Sequence, residues 1–146
     1  MQGKLNLGSC VSDYLFSYGT LLPEHAPEEI RVAVAKLRPY ARGSVRGVLF
    51  DFGEYPGAVI DESSRRKVFG TVFRLPRSGD FLEELDKYEG FNPAVPGGSL
   101  FVRKLHPVEL SSGRLINCWV YEYNGKRGSA PVVASGRYRG REIAAR

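Results

Sequence analysis

The sequence predicts an α+β domain: a small mixed β-sheet or barrel carrying two or more short helices. Three observations lead there. A length of 146 residues supports one domain around one core. Aromatic and β-branched runs outnumber stretches with helical spacing by at least five to two. Seventeen glycines and nine prolines cut the chain into short pieces, as a turn-rich fold requires.

Residues 1–12 are small and polar without periodicity and read as a loose arm. Asp13 to Tyr18, rich in aromatics, reads as a short buried strand that stops at Gly19-Thr20-Leu21-Leu22-Pro23. Pro27, Glu28 and Glu29 suit the first turn of a helix. Ile30, Val34 and Leu37 give that helix an apolar face, and Pro39 is expected to end it. From Ala41 to Leu75 the pattern turns to β. Ser44 to Phe52 offers Val45, Val48, Leu49 and Phe50 to the core. Gly53 to Gly57 is a turn, Ala58 to Ile60 a short strand, and Val68 to Leu75 a longer one closed by Pro76. A second helix follows. Asp80 and Glu83 have capping-box spacing, Phe81, Leu82, Leu85 and Tyr88 form a buried side, and Gly90 is placed to terminate it. After a Pro/Gly-rich loop, Leu100 to Leu110 and Arg114 to Tyr123 flank Ser111-Ser112-Gly113 as a hairpin, with Leu115, Cys118, Val120 and Tyr121 supplying apolar bulk. The domain is therefore bounded at 13–124, with 125–146 as a C-terminal extension.

Charge is unevenly spread. Twenty-one Lys and Arg face 16 Asp and Glu, a net of +5. Lys126, Arg127, Arg137, Arg139, Arg141 and Arg146 stand against Glu142 alone, so the excess lies in the extension and the body is balanced. Arg65-Arg66-Lys67 is a second short basic cluster. No nucleic-acid recognition signature accompanies either. The tail reads as a solvated basic extension, and a nucleic-acid partner is not expected. No apolar run reaches the ~20 residues a membrane-spanning helix needs, and the first ten residues lack a signal-peptide core. A cytoplasmic address is the expectation. Cys10 and Cys118 make no disulfide framework, and His25 and His106 have no neighbours at metal-ligand spacing. No phosphate-binding glycine loop is present and no elbow pattern surrounds Ser17 or Ser135. Any chemistry is expected to run without metal or cofactor.

Two segments stand out. At Tyr18-Gly19-Thr20-Leu21 a buried strand meets a glycine, whose backbone can approach a ligand closely. Successive amides there can hold an anion or a developing oxyanion. The plain alternative is an ordinary strand-to-loop turn. In Leu85-Asp86-Lys87-Tyr88-Glu89-Gly90, Glu89 lies at a helix C-terminus, where the dipole disfavours a carboxylate and raises its pKa toward that of a general base. The plain alternative is an exposed Glu on an acidic helix.

Taken together and in order, these segments resemble the gamma-glutamylcyclotransferase-like superfamily. Tyr55-Pro56-Gly57-Ala58-Val59, Phe69-Gly70-Thr71-Val72-Phe73, Phe101-Val102-Arg103-Lys104 and Cys118-Trp119-Val120-Tyr121 continue the likeness from Tyr14 to Tyr123. The resemblance implies a barrel-like α+β fold with a cavity and a cofactor-free reaction. In that reaction a gamma-glutamyl amide or amine conjugate cyclises to 5-oxoproline and releases an amine. It assigns Glu89 as general acid/base and the backbone at Tyr18, Gly19, Thr20 and Leu21 as the grip on the glutamyl head. The implied partner is a small gamma-glutamyl substrate. The same fold without cyclisation would be a binding protein for glutamyl-type metabolites.

Overall fold

The computed structural model describes residues 12–19, 28–77 and 80–138. In chain order they form β1 (Tyr14–Ser17), α1 (Glu28–Val34), β2 (Arg38–Asp51), β3 (Pro56–Ile60), β4 (Lys67–Arg74), α2 (Phe81–Glu89), a 3₁₀ turn (Pro96–Gly98), β5 (Phe101–Leu110) and β6 (Leu115–Tyr123). The sheet order is β3-β2-β4-β1-β6-β5, and β5 returns to β2 through Gly43↔Leu110 and Ser44↔Glu109. Five strands thus close a small barrel, and β3 is an extra strand carried by the far half of β2. β1 lies antiparallel to β4 and parallel to β6, so the first strand sits between elements from the middle and end of the chain. No helix among the described residues is long and apolar enough to cross a membrane.

Alternation along the strands builds two cores, because successive side chains point to opposite sheet faces. Phe16, Val72 and Val120 face the barrel interior with Val45, Leu49, Val68, Val108 and Cys118. Their neighbours Leu15, Phe73 and Tyr121 face outward, where Val34, Phe81 and Leu85 of the two helices cover them. Cys118 is fully buried in the interior set.

Several expectations need correction. Pro39 does not end α1, which already stops at Val34. Pro39 lies in β2 beside a register shift between Pro39 and Ala41, a site that tolerates a residue without an N–H donor. Asp80 makes no side-chain cap hydrogen bond. Its own backbone is helical (φ −91°, ψ −7°), whereas a capping side chain needs an extended backbone to reach back to the first turn. Gly90 does terminate α2, in the left-handed region at φ 75°. Leu115 is 67% exposed, because it opens β6 opposite Glu109 on the outward face.

The segment expected as a solvated extension comes back to the barrel as far as Tyr138. Asp51 N–H donates to Pro131 O at 3.0 Å, Val133 N–H to Leu49 O at 2.8 Å and Phe69 N–H to Gly136 O at 2.8 Å. Such backbone pairing satisfies strand-edge groups that would otherwise need water. Gly136 (φ 72°) packs so closely on the Lys67 carbonyl that a Cβ would collide with it.

Candidate active site

A cavity of about 310 Å³ opens beside the end of β1 and the C-terminus of α2. Tyr18, Gly19 and Glu89 all line it, and Tyr55, Tyr88 and Phe101 supply aromatic walls. Residues some seventy positions apart in the chain therefore face one hollow. Thr20 and Leu21, the other two residues assigned to the glutamyl grip, lie outside the described residues.

The β1 end is fixed by a side chain rather than by backbone alone. The Tyr18 hydroxyl donates to Tyr121 O at 2.6 Å and accepts from Ala58 N–H at 3.1 Å. One phenol thus joins β1, β6 and β3 at the cavity. Its burial drives its pKa far upward, and the Glu89 charge adds to the shift, so the phenol stays neutral as a donor. Gly19 packs against Pro56 of β3, and a Cβ at Gly19 would stand 2.9 Å from the proline ring. Glycine lets the two backbones approach here without displacing that ring.

Glu89 is brought to the cavity by the register of α2. Leu82, Asp86 and Glu89, spaced by four and three, share one stripe of the helix. The Glu89 carboxyl is held up at a pKa of about 7. The expected direction is right, but the cause differs from the helix dipole. Burial removes water from the charged form, and the nearby Asp86 carboxylate repels a second negative charge.

Asp86 is itself buried within a polar cluster that sequence reasoning missed. Arg103 Nε donates to Asp86 Oδ1 at 2.8 Å and its Nη2 donates to Oδ2 at 3.0 Å. This two-pronged contact is the strong form of the Arg–carboxylate pair. The Tyr121 hydroxyl donates to the same Oδ1 at 2.6 Å, and the Arg103 guanidinium lies 4.4 Å from the centre of the Trp119 ring. A continuous chain of contacts therefore runs from Tyr18 through Tyr121 and Asp86 to Arg103. The signal for Asp86 was present in its helical stripe with Glu89. The signal for Arg103 was weak: it stands between Val102 and Lys104, and only its strand parity with Phe101 sets it on the helix-facing side.

His106, which has no neighbours at metal-ligand spacing in the sequence, is paired across the hairpin: its Nε2 lies 3.0 Å from Glu122 Oε1. Among the described residues no group of three or more His, Cys, Asp or Glu is arranged to hold a metal ion. What the cavity offers is one carboxyl that titrates near neutrality, set against aromatic walls and a glycine corner. That inventory suits proton transfer to and from a small ligand.

Comparison with known proteins agrees with this architecture. The family model described as "Gamma-glutamyl cyclotransferase, AIG2-like" matches residues 15–140. An AIG2-like protein from Mus musculus superposes with a TM-score of 0.62 at 18% identity, over 89% of this chain and 97% of that one. The ytfP protein of Escherichia coli gives 0.59 at 24% identity, over 86% and 95%. A structure of a gamma-glutamyl cyclotransferase gives 0.58 at 22% identity, over 82% and 70%. No curated protein matches the sequence. The solved structures share the fold, and the family model spans most of the chain, including the returning segment after Tyr123. This chain belongs to the gamma-glutamyl cyclotransferase, AIG2-like family.

Proposed function

We propose that this protein cyclises a gamma-glutamyl amine or amide to 5-oxoproline and a free amine, with Glu89 as the general acid/base. The observation that carries the proposal is a carboxyl, raised to a pKa of about 7, lining the same cavity as the Tyr18–Gly19 corner.

The chemistry needs little else. The substrate's α-nitrogen attacks its own γ-carbonyl carbon, forming the ring C–N bond while the bond to the leaving nitrogen breaks. Nucleophile and electrophile arrive tethered, and such tethering reaches effective molarities on the order of 10⁵ M or more. In becoming the lactam N–H, the ammonium gives up two protons. One completes the leaving amine and the second converts it to its ammonium form. Glu89 takes the first from the attacking nitrogen and hands it to the leaving one. A carboxyl near half-ionised at neutral pH is suited to both transfers. The backbone at Tyr18 to Leu21 would hold the glutamyl head.

The test is 5-oxoproline release from a panel of gamma-glutamyl amines and amides, with wild type and Glu89→Gln assayed side by side. The variant is expected to bind substrate normally and to lose turnover by at least about a hundredfold, the usual scale for a lost acid/base. Near-normal release by the variant would remove Glu89 from the mechanism. Tight binding by wild type without any release would identify a binding protein for glutamyl-type metabolites instead.

A further inference from the structure

The two basic segments of the sequence meet at a place the cyclisation does not use. A second hollow, of about 380 Å³, lies on the outer face of the barrel where β5 closes onto β2, and it shares no lining residue with the Glu89 cavity. Lys67, from the Arg65-Arg66-Lys67 cluster, and Arg137, from the basic C-terminal segment, both line it, together with Arg42 of β2. The convergence is fixed by backbone. Phe69 N–H donates to Gly136 O, which lays the 133–138 segment over β4. Arg42 and Lys67 stand on β2 and β4, which are paired neighbours.

The polar groups in this hollow are poorly matched by protein partners. One carboxylate, Glu109, lines it, and it is paired with Lys67 at 3.7 Å. The Arg137 guanidinium lies over the Phe69 ring at 4.1 Å, and among the described residues neither it nor Arg42 has a carboxylate partner. Ser44 also lines the hollow, and since no buried side-chain polar atom among the described residues lacks a partner, its unpaired hydroxyl is open to solvent there. Two planar guanidiniums offer forked donors that match tetrahedral oxyanions, and a serine hydroxyl beside them is a further donor. An excess of two positive charges over the single carboxylate matches the charge of a phosphate dianion.

We propose that this hollow is a phosphate-binding site, taking inorganic phosphate or the phosphate group of a small monoester, with Arg42, Arg137 and the Ser44 hydroxyl as its donors. Its position away from Glu89 makes it a second ligand site rather than part of the cyclisation pocket, and it does not depend on the activity proposed above.

The experiment is titration of the full-length protein with inorganic phosphate and, in a second arm, with adenosine monophosphate, followed by amide NMR shifts at fixed ionic strength. One saturable site is expected, with the largest shifts at Ser44, Phe69 and Arg137 and none at Glu89. Arg42→Gln and Arg137→Gln should each weaken it about tenfold or more, as expected for lost charge-assisted bonds, and Ser44→Ala by a smaller factor. Tighter binding of the nucleotide than of phosphate would identify a monoester as the ligand, and the reverse the free ion. Both arginines are exposed, so the variants should fold, and unchanged amide spectra outside the hollow check this. Non-saturable shifts, saturation that persists undiminished in both Arg variants, or stronger binding of single-stranded nucleic acid that ignores them, would each overturn the site.

Discussion

The two faces of the same strands differ in what they are asked to do. The barrel interior is filled by Phe16, Val45, Leu49, Val68, Val72, Val108 and Val120, side chains that contribute area and packing, and its one thiol, Cys118, is kept protonated by burial. One residue along, the outward face of β6 carries Tyr121, and β5 carries Arg103, which meet Asp86 of α2 beneath the cavity. The interior sets the barrel's shape, while the helix-facing side uses directional bonds to place a carboxyl. Damage to the first should show in stability, and damage to the second in how Glu89 titrates.

The largest effect should come from the interior. Leu49 is 1% exposed, and Leu49→Ala should cost about 2–5 kcal/mol in chemical denaturation, combining lost transfer energy with an unfilled cavity. The folded variant should retain the wild-type pH profile, because Leu49 lines neither the cavity nor the Asp86 cluster. A displaced pH midpoint in this variant would show that the two faces are not separable.

A comparable effect, on the other face, is read through pH. Glu89 is raised from 4.5 to about 7 in the folded protein, so between those values the native state holds a proton that the unfolded chain has released. Stability from this group is fully present below pH 4.5 and is lost as pH rises through about 7. The loss should be on the order of 3 kcal/mol. Over the same range activity should rise, since the deprotonated carboxylate is the form that accepts the ammonium proton. Denaturation of wild type and Glu89→Gln at several pH values checks the first part, because the variant should lack this slope. Equal slopes in both proteins would mean that Glu89 is not held in a water-poor setting.

Much of the first face was legible in the sequence, and less of the second. The strands, the hairpin at Gly113 and the helix stop at Gly90 follow from alternation and glycine turns, which are local properties. Glu89 and the Tyr18–Gly19 corner could be singled out because each breaks a local rule. The Asp86–Arg103–Tyr121 cluster could not, since its partners sit 17 and 35 positions away from Asp86. Only the pairing of β5 with β6 and the docking of α2 bring them together. The return of the C-terminal segment was hidden for the same reason: Pro131, Val133 and Gly136 carry no periodicity and are held by backbone bonds to β2 and β4.

The smallest effect tests the polar face most directly. Tyr121→Phe removes one hydroxyl, at 2.6 Å from Asp86 Oδ1, and keeps the ring in its packing. The main-chain carbonyl of residue 121, which accepts from Tyr18, is untouched, so the β1 corner stays tied to β6. A hydrogen bond to a charged group contributes about 1.5–3 kcal/mol, and stability should fall by that amount or less, because Arg103 still holds both Asp86 oxygens. With one donor gone, the Asp86 charge is less well neutralised and repels the Glu89 carboxylate more strongly. The midpoint of the rising limb of activity should therefore move upward by about a few tenths of a pH unit. A midpoint that moves downward, or a fall in turnover with no shift at all, would mean that the hydroxyl acts on the reaction by some route other than the charge it helps to hold at Asp86.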